Sequence, residues 1–430
     1  MRTLFSVFLA PLFFLALIPA GTAADKETEM AAPQADALRA AAISGDAGAQ
    51  LKLATEFFFG TRTRPRNPVL AVYWFRRAAD QGNAEATYNL GVCYEKGWGV
   101  EQPSLVRASR NYDAAAAKGL PEAKLRKALL LARGIPNEPQ EKGMLPGTPA
   151  DRPQALKLLR GLVQTNFLPA DRELGRMILT DSVLRRKNGA EAKKLLTRAA
   201  EAGDMESLLM LAQCYEDGIG GMSDDAKAAE CYRKAAERGS AEAKVLLGAD
   251  YEFGRGVKPD PKRAYDLVCE AAKAGNPRAL TRLGDYYLNG DIVKPSVFEA
   301  RKLYERAYKA GYIPAAVKLG RCAELGLCGK PEPERAAELY AIAARAGDPD
   351  GQFAFGRCHL KGIGMEKDAT GAVFWFKTAT AGGQIEAVRE LGICYLTGTG
   401  VKKDEAEGAR LLDAAAASGD TQAILLLNRN

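Results

Sequence analysis

Apolar and small residues along this chain recur three and four positions apart, in blocks of about a dozen residues separated by polar turns. That spacing puts them on one face of an α-helix. The blocks themselves repeat. "LGVCYEKGWGV" (Leu90 to Val100) returns as "LGICYLTGTGV" (Leu391 to Val401), 301 residues later. A recurring glycine sets the frame: Gly45, Gly82, Gly119, Gly203, Gly239, Gly275, Gly311, Gly347, Gly383 and Gly419, with Asn166 in the same role in the one long gap. The intervals are 36 or 37 residues, except the 47 between Gly119 and Asn166. A fixed period of this length is the signature of stacked supersecondary units.

Within each unit the columns carry the packing. Ala, a large apolar residue and Ala stand eleven, seven and four positions before the glycine, as in Ala228, Tyr232 and Ala235 before Gly239. Eight positions after the glycine comes a Leu, such as Leu90, Leu211 or Leu319 (Phe355 in one copy), followed by Gly or Ala and, four past the Leu, usually an aromatic. Small, large and small on one stripe let a second helix approach closely. Each unit is therefore expected to be helix A, a loop and helix B, closed by a glycine that ends the helix in the left-handed conformation. A lone helix B is expected near residues 35 to 45, and "TQAILLLNRN" at the other end reads as a lone helix A over the last apolar face.

Composition places the chain among folded proteins: 47% hydrophobic and 26% charged residues. Residues 1–24, with Arg2, an apolar run from Leu4 to Ile18 and small residues up to Ala23 and Ala24, have the layout of a secretory signal peptide. Residues 25–34 then form a short linker, and no membrane insertion is expected after cleavage. The protein is accordingly expected in the periplasm or secreted. The net charge of +7 is scattered among interleaved acids, not gathered into a basic stripe with aromatic partners, so nucleic acid is not an expected ligand.

"ATYNLGVCYEKGWGV", "AKVLLGADYEFGRGV", "CYRKAAERG" and "AVRELGICYLTGTGV" resemble the Sel-1-like repeat family, relatives of the tetratricopeptide repeats. The resemblance runs over residues 35–430 and implies an all-α, right-handed α-solenoid of about ten helix-turn-helix repeats. It also implies an adaptor that binds other proteins. Two departures stand out. The third unit has Lys127 where the Leu belongs, which predicts a slip of register, and its inter-helix loop is an insertion at residues 133–153, rich in Pro and Gly and expected to be mobile. The fourth unit lacks the loop glycines ("ILTDSVLRRKN").

Eight cysteines in an exported chain raise the question of disulfides. Cys93, Cys214, Cys322, Cys358 and Cys394 share one column, however, and neighbouring helices stand about 8–10 Å apart, too far for a bridge between equivalent positions. They read as small buried residues. Cys214 with Cys231 is one candidate bridge within a repeat, and Cys322 with Cys328 a weaker one. The single histidine, His359, stands in the aromatic column and is expected to be a packing residue, so no metal or cofactor is expected. No Ser-x-x-Lys, Gly-x-Ser-x-Gly or His-Glu-x-x-His occurs, so the chain is not expected to be an enzyme.

The expected function is an exported, monomeric scaffold that binds a protein or peptide on a concave surface lined by the A helices. Residues opposite the core stripe of helix A name the candidate wall: Tyr88, Val92 and Glu95; Leu209, Gln213 and Glu216; Phe253; Asp285; Arg321; Phe353 and Arg357; and Arg389. The alternatives are a cell-envelope enzyme of the β-lactamase-like kind and a polyanion or glycan binder.

Overall fold

A computed structural model describes residues 37–62, 64–140, 143–290 and 292–427, so the signal-peptide and linker segments lie outside the described residues. The described residues form 22 helices and one two-stranded hairpin. Helix α1 covers residues 37–43. The A helices are α2 (Ala47–Phe59), α4 (Ala84–Lys96), α6 (Pro121–Arg133), α8 (Leu168–Thr180), α10 (Met205–Glu216), α12 (Ala241–Phe253), α14 (Pro277–Asn289), α16 (Pro314–Glu324), α18 (Pro349–Lys361) and α20 (Ile385–Thr397). The B helices are α3 (Pro68–Asp80), α5 (Leu105–Ala117), α7 (Arg152–Gln164), α9 (Ser182–Glu201), α11 (Asp225–Glu237), α13 (Pro261–Lys273), α15 (Val297–Lys309), α17 (Pro333–Arg345), α19 (Ala369–Ala381) and α21 (Glu405–Ala417). Helix α22 (Thr421–Leu427) follows the last repeat. The fold is an all-helical solenoid of paired repeats.

Local chemistry sets the helix ends. Asp224 accepts from the Lys227 N–H ahead of α11, Ser240 from Ala243 ahead of α12, and Asn276 from Ala279 ahead of α14. Each satisfies a backbone donor that the first turn leaves open. The closing glycines take positive φ, and Asn166 with φ 57° is the one non-glycine among the described residues to do so. The stripe columns are buried: Tyr112 and Tyr304 are 0% exposed, and so are Ala108, Ala264 and Ala300.

The chain divides into two compact units within α8, between Leu174 and Gly175. In the first unit the expected register slip does not occur. Ala123, Leu125, Ala128 and Leu130 are buried in the same pattern as Ala86, Tyr88, Gly91 and Cys93 one repeat earlier. Lys127 keeps its place because its long stem turns outward and its ammonium meets Asp113 at 2.7 Å. The described part of the insertion is built structure, contrary to expectation. Strands β1 (Glu138–Gln140) and β2 (Gly143–Leu145) pair antiparallel, and Ile135 and Thr148 bridge at the base. Ile135 is buried with the core around Tyr112. The Glu138 carboxylate accepts the Leu105 and Val106 N–H groups and the Ser104 hydroxyl, gripping the open N-terminus of α5. In the fourth unit, where the loop glycines are missing, the inter-helix loop has become the first turns of the 20-residue α9, with a break at Asn188.

Candidate protein-binding surface on the A helices

The tyrosine of the B helix does more than fill space. Its hydroxyl donates to a carboxylate on the A helix of its own repeat: Tyr112 to Glu95 at 2.7 Å, Tyr232 to Glu216 at 3.0 Å, Tyr304 to Asp285 at 2.7 Å and Tyr340 to Glu324 at 2.8 Å. Several of these carboxylates also take a cation from the next A helix. Arg126 lies 3.9 Å from Glu95, Lys318 meets Asp285 at 3.0 Å, and Arg357 meets Glu324 at 3.1 Å. Burial, and then the negative neighbour, push the phenols of Tyr112, Tyr304 and Tyr340 well above their ordinary pKa, so each stays a donor. These chains of tyrosine, carboxylate and cation stitch one repeat to the next.

That accounts for much of the expected wall. Glu95, Glu216, Asp285 and Arg357 are inter-helix struts. Tyr88 and Val92 are buried, Tyr88 against the Tyr112 ring with centroids 5.6 Å apart, because they join one core cluster with side chains of α5 and α6. Arg389 is buried as well, which corrects its placement on an open surface: its guanidinium is bound at 2.6 Å by Asp420, the N-cap of the last helix, and at 3.1 Å by Glu390. Burial raises the Asp420 carboxyl, but the Ala423 N–H and Arg389 outweigh it and hold the group below its ordinary range. What remains open lies in the second unit. Gln213 and Arg321 are exposed, Phe253 is 64% exposed, and Leu209 and Phe353 are half-buried.

The open residues converge at one place. A cavity of about 450 Å³ lies along α12, α14 and α16, and Phe253, Arg282, Lys318 and Arg321 line it. The Phe253 ring has two guanidinium groups near it, Arg255 and Arg282, each 5.8 Å from its centroid. Arg282 and Lys318 were not singled out from the sequence. Only their position one residue before the column Leu, facing the preceding repeat, could have marked them.

The cysteines behave as small core residues. Cys93, Cys214, Cys322, Cys358 and Cys394 are buried free thiols, and burial raises their pKa, to about 12 for Cys93 and Cys358 and to about 11 for the others. Cys214 and Cys231 lie in one core cluster with free thiols, and the thiols of Cys322 and Cys328 are free as well. His359 is half-buried, its ring edge-on to Phe355 at 4.7 Å and its Nδ1 3.6 Å from Asp368. No group of three or more His, Cys, Asp or Glu among the described residues could hold a metal ion, and no described helix is long and apolar enough to cross a membrane.

Paired helices closed by a glycine and repeated along the chain define a helical-repeat scaffold. The Sel1 repeat profile matches residues 47–83, 84–120, 169–204, 206–240, 241–276, 277–312, 313–348, 349–384 and 385–420, and the chain belongs to this family. The matches omit the unit that carries Lys127 and the insertion. Among solved structures, a protective antigen of uropathogenic Escherichia coli strains with an SLR fold is 26% identical, covering 90% of this chain and 88% of its own, with a TM-score of 0.53. A Sel1 repeat protein from Oxalobacter formigenes is 29% identical over 57% of this chain and 99% of its own, with a TM-score of 0.50. DAP3-binding cell death enhancer 1 of Mus musculus is 30% identical over 40% of this chain, which spans 31% of that relative's length.

Proposed function

We propose that this protein is an exported scaffold that binds a protein or peptide on the A helices of its second unit, and that it performs no catalysis. The observation that carries the reading is a residue of side chains the packing does not use. Where the A helices are stitched together, most polar groups are spent on struts, yet Phe253 and Arg321 stay open beside a cavity. Exposed aromatic and arginine side chains around a concavity are what protein interfaces use as anchors. That the matched cell death enhancer is named for binding DAP3 supports a protein-binding role. The layout of residues 1–24 supports export, as does the description of the E. coli relative as a protective antigen.

The test is in-cell photo-crosslinking from positions 253 and 321, with the exposed B-helix residue Lys234 as control. One dominant protein captured from both A-helix positions and absent from the control is the expected result. Equal capture at all three positions would sink the reading.

A further inference from the structure

The repeat supplies its own internal control. Two side chains at equivalent positions in successive repeats face the same structural demands, so a residue that departs from its column without a packing partner is not there for the fold. Phe253 departs from its column with only two guanidinium groups near its ring. Six residues past the column Leu, the other repeats of the second unit carry Thr180, Asp217, Asn289, Leu325, Lys361 and Thr397, and Phe253 is the one aromatic among them; in the first unit Phe59 stands at this position with its ring edge-on to Phe58 at 5.2 Å. Arg321 departs differently. Its counterpart one repeat later, Arg357, is tied to Glu324 at 3.1 Å, whereas Arg321 has no ion-pair partner among the described residues and stays exposed.

Both outliers line the 450 Å³ cavity, a volume within the usual range for a ligand pocket. The charge balance of that cavity is specific. Its two carboxylates are already occupied: Glu252 by Arg282 and the Tyr286 hydroxyl, Asp285 by Lys318 and the Tyr304 hydroxyl. Arg321 is the cation left over. The buried Nε of Arg282 is a further donor without an acceptor among the described residues. Arg282 and Lys318 balance the two carboxylates and Arg321 leaves the lining net positive, so a basic ligand would be repelled and a purely apolar one would leave Arg321 unmatched.

We infer that this cavity takes an acidic segment of a partner protein, an extended peptide with an Asp or Glu close in sequence to an aromatic or large aliphatic residue. The carboxylate pairs with Arg321 in a charge-assisted contact. The apolar side chain packs on the Phe253 face between the two guanidiniums. Both contacts fall within one cavity, so the two anchors belong to one short extended stretch, which advances about 3.3 Å per residue. This deepens the reading above and rests on it.

The test pans a random heptapeptide phage library on the purified protein, then measures the enriched peptides, fluorescein-labelled, on the parent, Arg321→Glu and Phe253→Ser. Both substitutions sit at open positions, and thermal melts check that the fold is kept. Enriched peptides should pair an acid with a nearby aromatic or aliphatic residue, and each substitution should weaken them about tenfold or more. Panned on its own, Arg321→Glu should select Lys or Arg in place of the acid, a reversal that a structural role for Arg321 would not produce. Peptides enriched without an acid, or bound equally by both variants, overturn the cavity assignment and leave peptide binding standing. Failure to enrich any peptide overturns the peptide-binding reading itself, and this inference with it.

Discussion

At the scale of single residues, two kinds of glycine do different work. The closing glycines, such as Gly347, have open space around the absent Cβ, and what they supply is positive φ. Gly320 is helical and has no unusual φ, but a Cβ there would lie 2.6 Å from the Tyr340 ring. It marks close approach of helix A to helix B. Replacing Gly320 with Ala should gain about 1 kcal/mol of helix propensity and lose about 1–3 kcal/mol to overpacking. The expected net effect is a destabilisation of about 1 kcal/mol in urea unfolding, kept modest because other repeats accept Ala54 and Ala212 in this column. Asp250 gives the pH prediction. Burial, only partly offset by Arg255, pushes its carboxyl up to about 6, and its Oδ2 has no hydrogen-bond partner among the described residues. A carboxyl raised on folding stabilises the native state below its unfolded pKa of about 4, and that contribution is lost as pH rises through 6. Asp250→Asn should therefore be more stable than the parent at pH 7.5, by about 1–2 kcal/mol. The advantage should shrink toward pH 5, as denaturant melts across that range would show. A constant difference would refute the assignment.

At the scale of elements, the caps and stripes were legible because they depend on residues three to eight positions apart. Asn166 was placed as a glycine substitute by spacing alone, and its φ of 57° agrees. Lys127 does not break the register, because a column letter says nothing about where a long side chain can turn; Asp113 on the facing helix gives its ammonium a partner. The described part of the insertion is held in place for a related reason. Its composition reads as a loop, but Glu138 reaches an N-terminus 33 residues away in sequence. Glu138→Ala should remove a carboxylate worth about 1–2 kcal/mol at that helix end. Hydrogen exchange should then show faster exchange at Leu105, Val106, Ile135 and Thr148, with the repeats of the second unit unchanged. Unaltered exchange at those four amides would mean the hairpin is held by Ile135 burial alone.

At the scale of the whole molecule, the period determined the solenoid. Eleven closing positions, the Ala and aromatic columns and the burial of five cysteines all follow from which side chains share one stripe of a helix, and helical geometry fixes that locally. The surface could not be settled in the same way. Of the expected wall, Tyr88, Val92 and Arg389 are buried, four charged members are struts, and Phe253 and Arg321 stand open at the cavity. For the arginines the outcome turns on partners about thirty residues away, in an adjacent repeat: Glu324 for Arg357, Asp420 for Arg389, and none among the described residues for Arg321. The sequence by itself determined which residues lie on each stripe and hence the paired-helix repeat. Only the tertiary structure decided which polar side chains are spent holding repeats together, because a long charged side chain can reach several neighbours, and stacking chooses among them.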